Sequence, residues 1–144
     1  MELLELPSDV EVQEDSSAGL SINDLGESGQ VLTMVNVVNG ANYSYVLENR
    51  ESTRLLSPDE SLPSVVGRSI NASGVVVGSI STVDLSEHVF AIWEDGVGRI
   101  LNEEFELPSG LTLSSVIKIN DEGQILATAT DADKALHALI LRPT

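Results

Sequence analysis

The sequence contains no cysteine, which excludes both a disulfide framework and thiolate chemistry at a catalytic or metal site. Aromatic residues are also scarce, since Phe, Tyr and Trp make up 3% of the 144 residues while hydrophobic residues make up 42%. The apolar content is therefore mostly Val, Ile and Leu, interrupted by Gly, Ser, Asn and Asp. This pattern favours β-strands over helices.

Basic residues are also scarce. The chain has 23 acidic and 7 basic residues, for a formal net charge of −16, and nine of the acids precede the first basic residue, Arg50. Such a surface repels nucleic acids and anionic membranes, so we expect neither as a partner. The negative charge either attracts a basic protein or only keeps an edge-rich β protein soluble.

Targeting segments are missing as well. The stretch from Met1 to Pro7 has neither the basic region nor the apolar region of a signal peptide. No apolar run approaches the roughly 20 residues that a membrane-spanning helix needs. We expect a cytoplasmic location for the sequence as written, and an extracellular one if it is a fragment of a longer exported protein.

Sequence motifs of catalysis and metal binding are absent. There is no Gly-x-Ser-x-Gly motif, and Gly67-Arg68-Ser69 lacks the glycine spacing and the lysine of a phosphate-binding loop. Asp131 and Asp133 do not belong to an EF-hand pattern. We therefore expect no enzyme activity, no cofactor and no metal site.

The sequence does contain an internal repeat. An Asx-x-x-Gly turn followed by an apolar run occurs at 69–78 and at 118–127, and a third copy at 25–33 is preceded by Ile22-Asn23. The turn glycines Gly29, Gly74 and Gly123 are 45 and 49 residues apart. This spacing predicts three diverged units of about 48 residues each.

Two further markers recur in the same order. Short segments with strand character follow the turns at 43–48, 88–94 and 136–141. Leu-Pro-Ser occurs at 6–8, 62–64 and 107–109. Three markers in one order indicate a repeat rather than chance similarity.

Each unit is interpreted as three or four short antiparallel strands. The turn Asn bonds its own backbone and the Gly takes a positive φ. Val75-Val76-Val77 is apolar on both faces and predicts a central strand. Glu94-Asp95-Gly96-Val97-Gly98 predicts a hairpin turn into a strand at Arg99-Ile100-Leu101.

The predicted fold is all-β and forms one domain. It consists of a partial unit at 1–21, whole units at 22–68 and 69–117, and a partial unit at 118–144. The two partial ends add up to one unit, so the N- and C-terminal strands are expected to complete one propeller-blade-like sheet. A β-trefoil or a β-prism is the alternative, because these folds also have three units.

At these residues the chain resembles the bacterial HAF-repeat family. The matching residues are Ile70, Asn71, Gly74, Val76, Val77, Gly78, His88, Phe90, Trp93, Glu94 and Gly96, with Ile119, Asn120, Asp121, Gly123, Gln124, Ile125, His137, Ala138 and Leu139 in the last copy. The first copy departs from the pattern, with Tyr43 or Tyr45 in place of His-Phe. The resemblance implies propeller blades on exported bacterial proteins, without established chemistry.

A propeller normally needs at least four blades, and this chain has three. The resemblance therefore implies either a homodimer that completes a six-bladed ring or a different closure of the three units. His88 and His137 recur at equivalent places in the repeat, so we interpret both as packing or turn-capping residues. Trp93 is expected in the core.

Function is then expected where the copies differ, namely in the acidic residues. We expect a non-catalytic acidic protein-binding module, such as an inhibitor or immunity-type protein that docks a basic partner. The alternative is a structural or surface-binding repeat domain of an exported bacterial protein. The Glu103–Glu106 cluster is either a solvated loop or a docking patch. The candidate partner-binding residues are Glu11, Glu14, Asp15, Asp24, Glu27, Glu103, Glu104 and Glu106.

Overall fold

The computed structural model describes residues 12–22, 29–37 and 39–143, with backbone alone for 12–22. Its strands form three antiparallel sheets, and within each sheet the strands lie side by side in chain order. The all-β prediction with units of three to four strands is confirmed. The first sheet contains β1 (Val12–Ile22), β2 (Val31–Val37), β3 (Asn42–Glu48) and β4 (Glu51–Arg54).

The other two sheets repeat this order. The second contains β5 (Ser64–Ile70), β6 (Val76–Ser81), β7 (His88–Glu94) and β8 (Val97–Ile100). One helical turn follows, α1 (Leu101–Glu104), and the third sheet contains β9 (Thr112–Ile119), β10 (Ile125–Thr130) and β11 (Leu136–Leu141). In the described part of the chain, no helix is long and apolar enough to cross a membrane.

The Asx-x-x-Gly turns have the predicted geometry. Oδ1 of Asn71 accepts hydrogen bonds from the backbone N–H groups of Ser73 and Val75, at 3.1 and 2.9 Å. Gly74 has a φ of +80°, which explains why glycine occupies this position. Asn120 forms the same bonds one repeat later. Most of the first copy, 23–28, lies outside the described residues.

The three sheets pack in sequence, each against the next. One core lies between the first and second sheets and includes Leu32, Val76 and Trp93. Another lies between the second and third and includes Val77 and Ile125. In the described part of the chain, no buried cluster joins the first sheet to the third.

Hydrogen bonds reinforce both junctions. The buried hydroxyl of Ser44 donates to the carbonyl of Val65, 2.9 Å away, and accepts from the N–H of Gly67 at 3.0 Å. At the second junction, the hydroxyl of Ser69 accepts from the N–H of Ile119 at 3.1 Å. Since buried backbone groups need a partner, these hydroxyls satisfy groups that the strand ladders leave unpaired.

The boundaries of the sheets differ from those of the predicted units. Each sheet begins with the strand before the turn, so β1, β5 and β9 belong with the strands that follow them. β1 pairs with β2 and not with β11. The predicted joining of the two chain ends depends also on residues 1–11, which lie outside the described residues.

We expected the two histidines at equivalent places in the repeat, and this was wrong. Their positions in the strands differ by one residue. His88 pairs with Ser81, whereas His137 pairs with Ala129, the position that matches Ile80 in the second sheet. The second copy has one residue more between the histidine and the end of the strand. The two side chains therefore point to opposite faces of their sheets.

The predicted strand 99–101 is displaced, because β8 begins at Val97. β8 ends at Ile100, and Leu101 begins the helical turn with a fully buried side chain. Trp93 is fully buried, as predicted, and its Nε1–H donates to the carbonyl of Leu56 at 2.8 Å.

Candidate functional site

The β7–β8 hairpin and the segment after it carry a set of exposed acidic residues. We call it the acidic rim and define it by Glu94, Asp95, Glu103, Glu104 and Glu106. Arg99 bonds two of these acids: its Nη2 is 2.9 Å from Oε1 of Glu94 and its Nε is 3.1 Å from Oε1 of Glu104. One guanidinium thus holds two of the five carboxylates together.

The segment that carries three of these acids is anchored in the core. Leu101 is fully buried, and Phe105 and Leu107 pack against the cluster between the second and third sheets. The carboxylates of Glu103 and Glu106 point to solvent between these anchors. The acidic cluster is therefore solvated, but the segment that carries it is held by the core. We expect little loss of conformational entropy when a partner docks on it.

The hairpin itself is held from the first sheet. Asp95 and Gly96 both have positive φ, at 52° and 81°, as a tight two-residue hairpin turn requires. The carbonyl of Gly96 accepts from the N–H of Leu56 at 3.1 Å. The end of the first sheet thus fixes the turn that presents Glu94 and Asp95.

Few of the described carboxylates are neutralised by ion pairs. In the described part of the chain, Arg99 is the only Lys or Arg that pairs with a carboxylate. Arg54 instead lies over the ring of Tyr43, 3.5 Å from its centroid. With 23 acids in the chain, the field of the surface is strongly negative.

The structure brings together only part of the predicted site. Glu103, Glu104 and Glu106 are exposed on one short segment after β8, and Glu104 is paired with Arg99. Glu14 and Asp15 lie on β1, for which only the backbone is described. Glu11, Asp24 and Glu27 lie outside the described residues.

Sequence reasoning missed Glu94 and Asp95 as members of the rim. The signal was present, because Glu94-Asp95-Gly96 had been interpreted as a hairpin turn, which exposes its side chains. What the sequence lacked was any sign that the fold places Arg99 between the carboxylates of Glu94 and Glu104.

A groove of about 810 Å³ lies elsewhere, between the second sheet and β9, and reaches β2 and β3. Its walls include Arg68, His88, Phe90, Ser79 and Ser115, and none of the described residues that line it is Asp or Glu. The His88 and Phe90 rings meet edge to face, with centroids 5.7 Å apart. The groove is thus weakly basic and mostly apolar, in contrast to the rim.

Asp131 caps the β10–β11 turn, so its role is structural. Oδ1 accepts from the N–H groups of Asp133 and Ala135, and Oδ2 lies 2.8 Å from Nε2 of His137. These bonds, first the one to His137, lower the pKa of Asp131. Among the described residues, no group of three or more potential ligands is placed to hold a metal ion.

Comparison with known proteins does not assign the chain to a family. No protein-family model matches the sequence, and neither a curated protein nor a solved structure is significantly similar to it. The resemblance to HAF repeats stays a prediction that rests on the turn and strand motifs alone.

Proposed function

We propose that the chain is a non-catalytic protein-binding module that docks a basic protein on the acidic rim. The observation that supports this proposal most directly is the anchoring of Leu101, Phe105 and Leu107 beneath Glu103 and Glu106. Carboxylates on a held segment are preorganised for a partner, whereas carboxylates on a mobile loop lose entropy on binding.

The overall charge supports the same function. A net charge of −16 steers a basic protein towards the surface over a distance of about one Debye length, roughly 8–10 Å at physiological salt. An inhibitor or immunity-type protein that neutralises a basic enzyme is the sharpest form of this function. The proposed location is the cytoplasm.

The test begins with a pull-down from extract and continues with the purified captured protein. Glu103→Gln/Glu106→Gln removes two rim charges, and Asp121→Asn/Glu122→Gln removes two charges from a turn of the third sheet. We expect the rim variant to raise the dissociation constant about tenfold and the turn variant less than threefold. Binding should also weaken as salt rises.

Arg99→Gln is a useful third variant, because it releases Glu94 and Glu104 from their ion pairs. A basic partner should bind this variant at least as tightly as the original protein. Equal effects of the rim and turn variants, or salt-independent binding, would rule out the rim as the docking site.

A further inference from the structure

The exposed face of the third sheet corresponds to faces that are buried in the other two. Three cross-strand pairs occupy the same register in the three sheets: Leu32–Val46, Val77–Ile92 and Leu126–Ile140. The first two pairs pack against the next sheet along the chain.

In the described part of the chain, no sheet packs against the third pair. Leu126 is 42% exposed and Ile140 is 55% exposed, although Leu32 and Val77 at the matching positions are fully buried. Thr128–Ala138 and Thr130–Leu136 extend the same face, and Leu136 is 72% exposed. We define the third-sheet face as Leu126, Thr128, Leu136, Ala138 and Ile140. Exposed aliphatic side chains on a flat sheet favour association.

The strands that form this face carry no negative charge. β9, β10 and β11 contain no Asp or Glu at all, in a chain with 23 acids. The charged side chain nearest to the face in register is Lys118, which pairs with Leu126. Two copies repel each other through most of their surfaces, but not through this one.

We propose that the third-sheet face is a self-association surface, on which two copies of the chain pack their third sheets about a twofold axis. A face that is apolar and free of acidic residues can pack against the same face of a second copy, as an isologous interface requires. The two sheets would then lie about 10 Å apart, as in a β-sandwich.

A six-bladed ring of two chains is a less favourable dimer. It would need a second open face on the first sheet, at Val35 and Leu47. Both side chains are already buried within the single chain, at 0% and 6% exposure. The twofold dimer needs only the face that is exposed, and it does not depend on the proposed binding of a basic partner.

Sedimentation equilibrium of the purified chain tests the proposal. We expect a monomer–dimer equilibrium that shifts towards the dimer as salt rises, because salt screens the repulsion between two acidic copies. Binding at the acidic rim should respond to salt in the opposite direction, so the two proposals fail independently.

Leu126→Lys and Ile140→Lys should each raise the dimer dissociation constant at least tenfold, since each change acts in both copies. Leu85→Lys and Val97→Lys are matched controls, because Leu85 and Val97 are exposed apolar residues outside the face, at 68% and 67%. The controls should change the constant less than about twofold. All four positions are exposed, so circular dichroism should show an unchanged fold.

A single cysteine then locates the interface, since the chain has none of its own. Thr128 lies on the central strand in the middle of the face. In Thr128→Cys, a short bismaleimide should link the two copies of the twofold dimer, but not those of a ring. A monomer at all concentrations, particles larger than dimers, a dimer unaffected by the lysine variants, or a dimer that does not cross-link at this position would each overturn the proposal.

Discussion

The side-chain amide of Asn71 donates a hydrogen bond to the backbone carbonyl of Asn120, 3.0 Å away. The two residues hold the same place in neighbouring repeats, 49 positions apart, so the turn of one sheet is bonded to the turn of the next. A second bond runs in the same direction, from the N–H of Ala72 to Oδ1 of Asp121 at 2.8 Å. A residue that shapes its own turn therefore also joins two sheets.

Replacing the two asparagines should have unequal effects on stability. Asn71 is 4% exposed, whereas Asn120 is exposed and its Nδ2 donates to Oε1 of Gln124 in the same turn. We expect Asn71→Ala to lower the free energy of unfolding by about 2–3 kcal/mol and Asn120→Ala by about 1 kcal/mol. Urea denaturation of both variants measures this, and equal losses would contradict a role of Asn71 between the sheets.

The hydroxyl of Ser44 should matter more than other serine hydroxyls. It is fully buried and bonds both Val65 and Gly67 across the first junction. Ser44→Ala leaves a buried N–H and a buried carbonyl without this partner, so we expect a loss of about 2 kcal/mol in the free energy of unfolding. Ser114→Ala is the matched control, since that side chain is exposed, and it should change stability by less than about 0.5 kcal/mol.

Thr33 offers a stabilising substitution. In the described part of the chain, its Oγ1 is the one buried side-chain oxygen or nitrogen without a hydrogen-bond partner. Thr33→Val keeps the shape and removes the unsatisfied hydroxyl, which should raise the free energy of unfolding by about 1 kcal/mol. Thermal denaturation should then show a higher midpoint, and a lower one would mean that the hydroxyl does have a partner in solution.

Asp84 should titrate at unusually low pH. Hydrogen bonds from the hydroxyls of Ser86 and then Thr82, both 2.7 Å long, and from the Ser86 N–H lower its pKa to about 2. Carboxyl NMR during a pH titration measures this value. Ser86→Ala should move the pKa back towards the ordinary value near 4.

The sign of the stability effect follows from this pKa. Because the folded pKa lies below the unfolded value, the contribution of Asp84 is present at neutral pH and is lost as pH falls from about 4 to about 2. Between about pH 4 and about pH 2, the free energy of unfolding should therefore fall less in Asp84→Asn than in the original protein. An identical pH dependence in the two proteins would contradict the assignment.

The local features of the fold were predictable from the sequence because they depend on short-range chemistry. Asn71 and Gly74 mark a turn whichever sheet they belong to, and Val75-Val76-Val77 marks a strand with two covered faces. The prediction for His88 and His137 was wrong because strand register differs by one residue between the copies. The extra residue between His88 and Trp93 is visible in the sequence, but only the strand pairing shows that the two histidine side chains face opposite sides of their sheets.

The acidic rim was only half predictable for a related reason. Glu103, Glu104 and Glu106 form a visible cluster in the sequence, but Glu94 joins them only through Arg99, which the fold places between Glu94 and Glu104. The sequence alone does not show which carboxylates the side chain of one arginine will bind.

The sequence by itself determined the strands, the turns, the threefold repeat and the excess of acid, since these follow from side-chain chemistry over a few residues. Tertiary structure decided which surfaces are covered. Leu32, Val77 and Leu126 occupy the same register in their sheets, yet two are buried and one is 42% exposed. The difference arises because the first and second sheets each have a neighbour on that side, whereas in the described part of the chain the third sheet has none.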